Sequence, residues 1–340
     1  MSQNLNTVSI TQFTDLVTRD WTVNNGDYVE KGNATKLFIK DDLSAHSGDS
    51  KRYTEIDPET FAREKPEGED AVEATVQYGY EKDMNARRFA REINITWEMR
   101  RYNKKPEVVG ELTSLSQFIP NRMELDLTHR ITFMTATSFT DMDGVSVTTT
   151  VGDGLALVSA VHTLRGTSTT FSNVITGNPT FSKGGLEVAE LQANTQILSH
   201  FGERRVLKFN TIFTSDDPTT CNDVDQFLNS VSDVDQNNPS VKNVYYKKYT
   251  HVMLPYLATT AAGVYDSTKA KYWGLVAAGQ GIKGWQAYLG IFESANLKVP
   301  AAGNNGEDFS SDDWKYGCRG SRGIVTVSPR GFLGSTGLGS

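Results

Sequence analysis

The longest hydrophobic pattern in the chain lies in residues 103–136, where apolar side chains recur every three or four positions. The first run consists of Val108, Val109, Leu112, Leu115, Phe118 and Ile119, and the second of Met123, Leu125, Leu127, Ile131 and Phe133. This spacing is typical of a helix with one buried face. Pro106 fits near its start, because the N–H groups of a first turn have no helical partner.

Pro120 separates the two apolar runs. A proline inside a helix removes one backbone hydrogen bond and crowds the preceding turn, so the pattern predicts either a kink or two helices in tandem. At about 1.5 Å per residue, a straight helix over this segment would be roughly 50 Å long. That length is unusual in a compact core and favours an extended molecule with a helical spine.

Charged side chains are concentrated just before this helix, with 12 acidic and 12 basic residues between positions 51 and 105. Acids dominate the first half of this segment and bases the second. Pro66 and Gly68 predict a turn between the halves, and the alternating flanks predict strands. We therefore expect a long two-stranded projection. Its charges form either a solvated surface or contacts with neighbouring subunits, and the marginal stability of an isolated hairpin favours contacts.

The rest of the chain predicts a mixed α+β body. Residues 1–49 are polar, with scattered apolar side chains that are too few for a core, so they form either a disordered terminus or an arm on another surface. Ser182 is expected to cap a helix that Gly202 closes, and Pro218 to lie in the first turn of another. Strands are expected at 204–214, 241–257, 272–279 and 287–299, and once more near the C-terminus.

Composition narrows the class of protein. The chain has 340 residues, a net charge of -7 and 38% hydrophobic residues, which argues against a generally basic nucleic-acid binder. The two cysteines, Cys221 and Cys318, cannot form a disulfide framework and have no metal-ligand spacing to a partner, so they fit a reducing cytoplasm. No apolar run approaches the roughly 20 residues needed to span a bilayer, and no signal peptide is expected.

Catalytic motifs are not found in the sequence. It has no phosphate-binding glycine loop, no nucleophile elbow and no helical pair of histidine ligands among its five histidines. Asp141 and Asp143 superficially suggest calcium, but the later ligands of such a loop are missing, so we expect a turn. We therefore expect no catalytic residue, no metal site and no cofactor, and a structural role.

The order of several segments is the most specific feature. The segments ARRFAREINITWEMRRYNKKPEV, NRMELDLTHRITF, TSFTDMDG, GDGLALVSAVHTL, STTFSNVITGNPTFSKGGLEVAE, YWGLVA and RGIVTVSPRG follow one another. Together they resemble the major capsid proteins of tailed double-stranded-DNA bacteriophages, whose subunit has the Hong Kong 97-type fold. The resemblance covers most of the chain and is weakest in residues 1–49 and 215–240. Pro120 departs from the uninterrupted spine helix of that family.

This resemblance implies an α+β fold in four parts. They are an N-terminal arm (1–49), an extended β-hairpin loop (50–99), a peripheral domain (100–182 and 286–325) with a spine helix at about 103–136, and an axial domain (183–285 and 326–340). Contacts between subunits would join acids of one hairpin to bases of a neighbour. The candidates are Glu55, Glu59, Glu64, Glu67, Arg87, Arg88 and Arg91.

The implied function is self-assembly, as hexamers and pentamers, into an icosahedral phage head that encloses double-stranded DNA without sequence-specific binding. The implied partners are other copies of the chain, a separate scaffolding protein, a portal and a decoration protein, with no membrane. The protein would be a virion component assembled in the host bacterial cytoplasm. Two alternatives remain open: the shell of an encapsulin-like bacterial nanocompartment, and a soluble enzyme with an unrecognised site.

Overall fold

The chain folds around two four-stranded sheets with helices packed against them, as seen in a computed structural model. The structure describes residues 14–15, 17–19, 21–22, 33–58, 61–71, 73, 76–102, 104–232, 242–300 and 312–339. The helices are α1 (Trp97–Arg101), α2 (Lys105–Thr132), α3 (Lys183–Thr195) and α4 (Pro218–Asn229). Three short 3-10 helices cover Ala34–Lys36, Ser267–Lys269 and Gly281–Lys283. The predicted α+β class is confirmed.

Fourteen strands are found in the described residues. They are β1 (Ile39–Asp42), β2 (Ser50–Pro58), β3 (Val76–Asn85), β4 (Arg87–Ile95), β5 (Ser138–Thr140), β6 (Ser146–Thr148), β7 (His162–Thr163), β8 (Thr170–Phe171), β9 (Thr211–Ser215), β10 (Thr250–Leu254), β11 (Trp273–Val276), β12 (Ala287–Lys298), β13 (Trp314–Thr326) and β14 (Phe332–Ser335).

Helix α2 is the spine that the hydrophobic pattern predicted. It has 28 residues and a proline in its first turn, and it would be about 42 Å long if straight. Its buried face carries Leu115, Ile119, Met123, Leu127 and Ile131, each four positions from the last. The helix continues without a break through Pro120, so the expectation of two helices in tandem is wrong. A kink at Pro120 stays a prediction.

The first sheet has the strand order β1-β12-β13-β4. Strands β12 and β13 form a long antiparallel pair, β4 pairs antiparallel with β13, and β1 lies parallel to β12. One end of α2 packs on this sheet through Leu115 and Ile119, against Trp314 and Tyr316 of β13 and Ile95 of β4. These hydrophobic contacts therefore attach the N-terminal half of α2 to the first sheet.

The second sheet has the order β10-β9-β11-β14 and carries α3 and α4 on one face. Ser182 caps α3 by accepting a hydrogen bond from the Gly185 N–H, and α4 has its proline in the first turn, as expected. The prediction that α3 reaches Gly202 is wrong, because the helix ends at Thr195. Gly202 instead closes a separate turn, at a φ of 77° that favours glycine.

Two strand predictions were too long. Only Thr211–Ser215 of the segment 204–214 and only Thr250–Leu254 of the segment 241–257 form strands. In the second segment a turn precedes the strand, and Lys247 adopts a φ of 54° there. Outside these strands the same segments carry exposed side chains such as Val206 and Val244, so aromatic and β-branched residues marked neither the strand ends nor burial there.

The described part of the N-terminal segment contributes to the core, beginning with Val17 and Trp21, which are buried against α2 and the first sheet. Ala34, Leu37 and Phe38 are buried beside α2, and Leu43 is buried near the start of the hairpin. The expectation that residues 1–49 hold too few hydrophobics to build a core is wrong. The apolar side chains that looked scattered in sequence are brought together by the 3-10 helix and β1.

The predicted hairpin is confirmed, but its extent is corrected. Strands β2 and β3 pair antiparallel from Ser50 opposite Asn85 to Pro58 opposite Val76. The chain then leaves the hairpin, and β4 pairs with β13 in the first sheet. The two-stranded unit is therefore residues 50–85 and not 50–99.

Candidate subunit interface

A buried cluster of charged side chains attaches the hairpin to the rest of the chain. Glu55 on β2 accepts a hydrogen bond from Arg330, and its other carboxylate oxygen lies 2.9 Å from Nε2 of His200. Asp57 accepts the backbone N–H of His200 at 2.6 Å and pairs with Arg205 at 3.1 Å. Glu55, His200 and Arg330 are each no more than 2% exposed. The hairpin is therefore supported within its own subunit, whereas neighbouring subunits were the simplest support that the sequence suggested.

The electrostatics keep Glu55 charged in this buried position. Burial by itself would raise the pKa of its carboxyl group, but the hydrogen bond to His200 and the charge of Arg330 outweigh burial and lower the pKa to about 2. Glu55 was a candidate for contact with a neighbour. That placement is corrected, because its carboxylate is enclosed by partners from the same chain.

Arg87 also has a partner within the chain. Its Nη2 lies 2.5 Å from Oδ2 of Asp141, and Arg122 reaches the same oxygen at 3.2 Å. The other carboxylate oxygen of Asp141 accepts the backbone N–H groups of Asp143 and Val145 at 3.0 Å. This arrangement confirms the turn expected at Asp141 and Asp143. The ion pair with Asp141 holds Arg87, and with it β4, against the turn between β5 and β6.

Arg88 and Arg91 differ from Arg87, because both side chains are exposed. Arg88 is 68% exposed and lies 3.8 Å from Glu293, a distant pairing that leaves most of its guanidinium in solvent. Both arginines line a groove of about 640 Å³ beside α2. Its apolar lining is Phe89, Ala90, Phe118, Ile119, Leu125 and Met142. The groove therefore combines an apolar surface with a basic edge.

The segment that connects β2 to β3 carries the remaining acidic candidates. Residues 61–71 are exposed throughout, Glu64 and Glu67 included, whereas Glu59 lies outside the described residues. The expected turn is confirmed by a hydrogen bond of 3.3 Å from the Glu69 N–H to the Pro66 carbonyl. This segment holds four acids and two bases, so its charge is opposite to that of the groove's basic edge.

Phe61 is a feature of this segment that the sequence reasoning missed. Its ring is 64% exposed, although burying a phenylalanine is favourable by roughly 1.5–3 kcal/mol. The available signal was a single aromatic residue within a run of charges. Arg330 and His200 were missed for another reason, since they lie 275 and 145 positions from Glu55 and only the fold brings them together.

No family model and no curated relative matches the chain. Among solved structures, the capsid of Ralstonia phage GP4 matches with a TM-score of 0.50 and 12% identity, over 88% of this chain and 86% of that chain. The capsid of cyanophage P-SCSP1u matches with a TM-score of 0.49 and 12% identity, over 88% and 86%. The cyanophage Pam1 capsid matches with a TM-score of 0.48 and 11% identity, over 88% and 87%.

The match to the GP4 capsid extends over most of both chains. The chain has the Hong Kong 97-type capsid fold. Within this Hong Kong 97-type fold, the groove lies where β4 and α2 meet, and the buried cluster lies where the hairpin meets the loops before β9 and β14.

Among the described residues, no helix is both long enough and apolar enough to cross a bilayer.

Proposed function

We propose that this chain is the major shell protein of a tailed-phage head. The observation that carries the proposal is the match to the capsid of Ralstonia phage GP4, which covers 88% of this chain at a TM-score of 0.50. In this role the chain assembles as hexamers and pentamers into a closed icosahedral shell. A closed shell of identical subunits requires each subunit to offer several weak contacts at once.

The parts of the subunit then take the roles of a shell protein. The first sheet with α2 forms the peripheral domain, and the second sheet with α3 and α4 forms the axial domain around the symmetry axes. Residues 50–85 form the extended loop. The arm is the segment before residue 33, and its buried residues Val17 and Trp21 hold it against α2 and the first sheet of the same subunit.

The exposed segment 61–71 of one subunit docks in the groove beside α2 of a second copy. Three features support this pairing. The segment carries twice as many acids as bases, and the groove edge carries Arg88 and Arg91. The groove lining is apolar, and Phe61 offers an unburied ring beside the acids Glu64 and Glu67. An aromatic anchor within a charged rim is the usual composition of an interface.

Ionic contacts of this kind are individually weak. Exposed ion pairs contribute about 0–1 kcal/mol each and are screened by salt. A shell that depends on many such pairs assembles reversibly, because a misplaced subunit can dissociate before its other contacts form. We therefore expect shell formation to weaken as the salt concentration rises.

The further partners follow from this role and not from any site described above. They are a separate scaffolding protein, a portal, a decoration protein, and double-stranded DNA held inside without sequence-specific contacts. The acidic net charge of -7 supports a shell lining that binds DNA weakly. The protein is then a virion component that is assembled in the cytoplasm of the host.

The nature of the cargo tests this function. The full chain is expressed with its neighbouring genes, and sedimented particles are treated with nuclease and then opened. A phage shell protects double-stranded DNA within particles that sediment far faster than the 37.5 kDa subunit. A particle that holds a folded enzyme and no DNA would instead be a nanocompartment, and would overturn the proposal.

A further inference from the structure

A cysteine, an aspartate and a histidine meet on the second sheet, outside every surface described above. One donor atom from each of Cys221, Asp225 and His251 lies within 4.8 Å of the other two. Cys221 and Asp225 are on α4, and His251 is on the edge strand β10. Sequence spacing did not reveal this cluster, because its histidine comes from a different element.

Local structure explains why these side chains converge. Cys221 and Asp225 are four positions apart on α4, so they lie on the same face of the helix. That face packs on β9 and β10, which places His251 next to it. Nδ1 of His251 lies 2.7 Å from Oδ1 of Asp225, and the histidine side chain is only 10% exposed.

Thr214 fixes the orientation of the histidine ring. Its hydroxyl lies 2.8 Å from Nε2 of His251, and the residue is fully buried on β9. In the metal-free chain Nδ1 donates its proton to the Asp225 carboxylate and Nε2 accepts a hydrogen bond from the Thr214 hydroxyl. When a metal takes the place of the Nδ1 proton, Nε2 carries the ring proton and the Thr214 hydroxyl accepts it. A histidine that binds a metal through one ring nitrogen is commonly held in this way through the other.

The carboxylates of Asp216, Asp217 and Asp225 lie close enough to Cys221 to act on its charge, and together they attract a divalent cation. The charge of a bound cation would in turn stabilise the Cys221 thiolate.

We propose that Cys221, Asp225 and His251 form a zinc site. Sulfur, imidazole nitrogen and carboxylate oxygen are the three donor types that Zn²⁺ takes, at about 2.0–2.3 Å each. Tetrahedral geometry places such donors roughly 3.3–3.8 Å apart, so the separations of up to 4.8 Å need to close by only about 1 Å. Three protein ligands leave the fourth position to water.

Zinc binding at this site changes only the protonation of the ligands, and no group is oxidised or reduced. The Cys221 thiol loses its proton to solvent as its sulfur bonds to the metal, and the ring proton of His251 moves from Nδ1 to Nε2, so that Nδ1 and the Asp225 carboxylate can bind. The bound metal joins α4 to β10 at the edge of its sheet. This site lies within one chain, so it exists in the free subunit and does not depend on the proposed shell function.

Cobalt(II) is the spectroscopic probe for the site, because a cobalt–thiolate bond produces a charge-transfer absorption that oxygen and nitrogen ligands do not. The full chain is stripped with a chelator and titrated with Co²⁺, and then with Zn²⁺. We expect one Co²⁺ per chain with a thiolate band, and displacement of that band by one equivalent of Zn²⁺.

Matched variants identify the ligands. Cys221→Ser should abolish the thiolate band, and Asp225→Asn and His251→Gln should each weaken Zn²⁺ binding at least tenfold. Thr214→Val, which removes only the orienting hydroxyl, should weaken it about 10- to 100-fold. Asp223→Asn on the same helix and Cys318→Ala in the first sheet serve as controls that keep both the band and the affinity.

Two results would overturn the proposal. One is a wild-type chain that shows no thiolate band and no stoichiometric Zn²⁺ binding. The other is a band that survives in Cys221→Ser or disappears in Cys318→Ala. Circular dichroism of each metal-free variant separates loss of ligand from loss of fold, and a variant that unfolds is replaced by Cys221→Ala or Asp225→Ser.

Discussion

Arg330 donates a hydrogen bond to the carboxylate of Glu55 across 275 positions of sequence, and the two side chains are 2% and 1% exposed. This ion pair joins β2 of the hairpin to the segment that leads into β14. His200 contacts both partners, at 2.9 Å from Glu55 and 3.2 Å from Arg330. The end of β2 next to the connecting segment is thus held inside its own subunit, whereas residues 61–71 of that segment are exposed and can reach another.

Breaking this pair should strongly destabilise the subunit. Arg330→Met leaves Glu55 as a buried charge without its arginine, which costs about 3–5 kcal/mol. Urea unfolding of the unassembled subunit measures the change in the free energy of unfolding. Arg52→Ala is the matched control, because its pair with Asp83 on the same hairpin is exposed and should cost less than about 1 kcal/mol. Similar losses in the two variants would contradict the buried role of Arg330.

Glu55 should also shape the dependence of stability on acid. Its pKa is about 2 in the folded chain against an ordinary value of 4.5. A carboxyl group with a depressed pKa contributes stability that is fully present above its unfolded pKa and is lost as the pH falls toward its folded pKa. The difference in unfolding free energy between wild type and Glu55→Gln should therefore stay constant from pH 7 to about 5 and shrink below pH 4.5.

The prediction for Glu55→Gln is checked by urea unfolding at a series of pH values. Asp83→Asn provides the comparison on the exposed surface of the same hairpin. A difference between wild type and Glu55→Gln that grows as the pH falls from 4.5 would show that the sign of the pKa shift is wrong.

Two glycines should respond oppositely to alanine. Gly110 lies inside α2 with an exposed position, and a Cβ there would meet nothing within 4 Å. Gly110→Ala should therefore stabilise the unassembled subunit by about 0.5–1 kcal/mol, through higher helix propensity. Gly274 lies on β11, where a Cβ would collide with the Leu333 carbonyl and the ring of Phe213. Gly274→Ala should destabilise by about 1–3 kcal/mol.

Thermal unfolding of both glycine variants measures these changes side by side. A loss of stability in Gly110→Ala would mean that α2 is not a regular helix at that position. A neutral Gly274→Ala would mean that β11 and β14 are less closely packed than described.

The sequence predicted what depends on local patterns. The four-residue spacing of apolar positions placed α2 to within four residues at each end, and Ser182 and Pro218 placed two helix starts. It could not reveal which charges pair across the fold. Glu55 looked like a surface acid, because its partners His200 and Arg330 are distant in sequence. The groove was missed for the same reason, since β4 and α2 form it together.

Charge reversal should distinguish the roles of the three arginines of β4, two of which we expect to act in assembly and one in stability. Arg88→Glu combined with Arg91→Glu should reduce particle yield by at least tenfold and leave the free energy of unfolding within about 1 kcal/mol, because both side chains are exposed. Arg87→Glu should instead destabilise the subunit, because it places a carboxylate beside that of Asp141. Sedimentation gives the particle yield, and urea unfolding gives the stability.

A restored yield would strengthen the case for direct docking. Combining the Arg88→Glu and Arg91→Glu changes with Glu64→Lys and Glu67→Lys should recover particles in part, because the charges become complementary again. Normal yield from the arginine variant alone would show that this groove edge takes no part in assembly.

A reconstruction of assembled particles by cryo-electron microscopy tests the central claim most directly. The account predicts a closed shell of hexamers and pentamers, in which residues 61–71 of each subunit cover the groove beside α2 of a neighbour with Phe61 in contact with its apolar lining. A protein that stays monomeric at high concentration, with and without co-expressed scaffold, would contradict it.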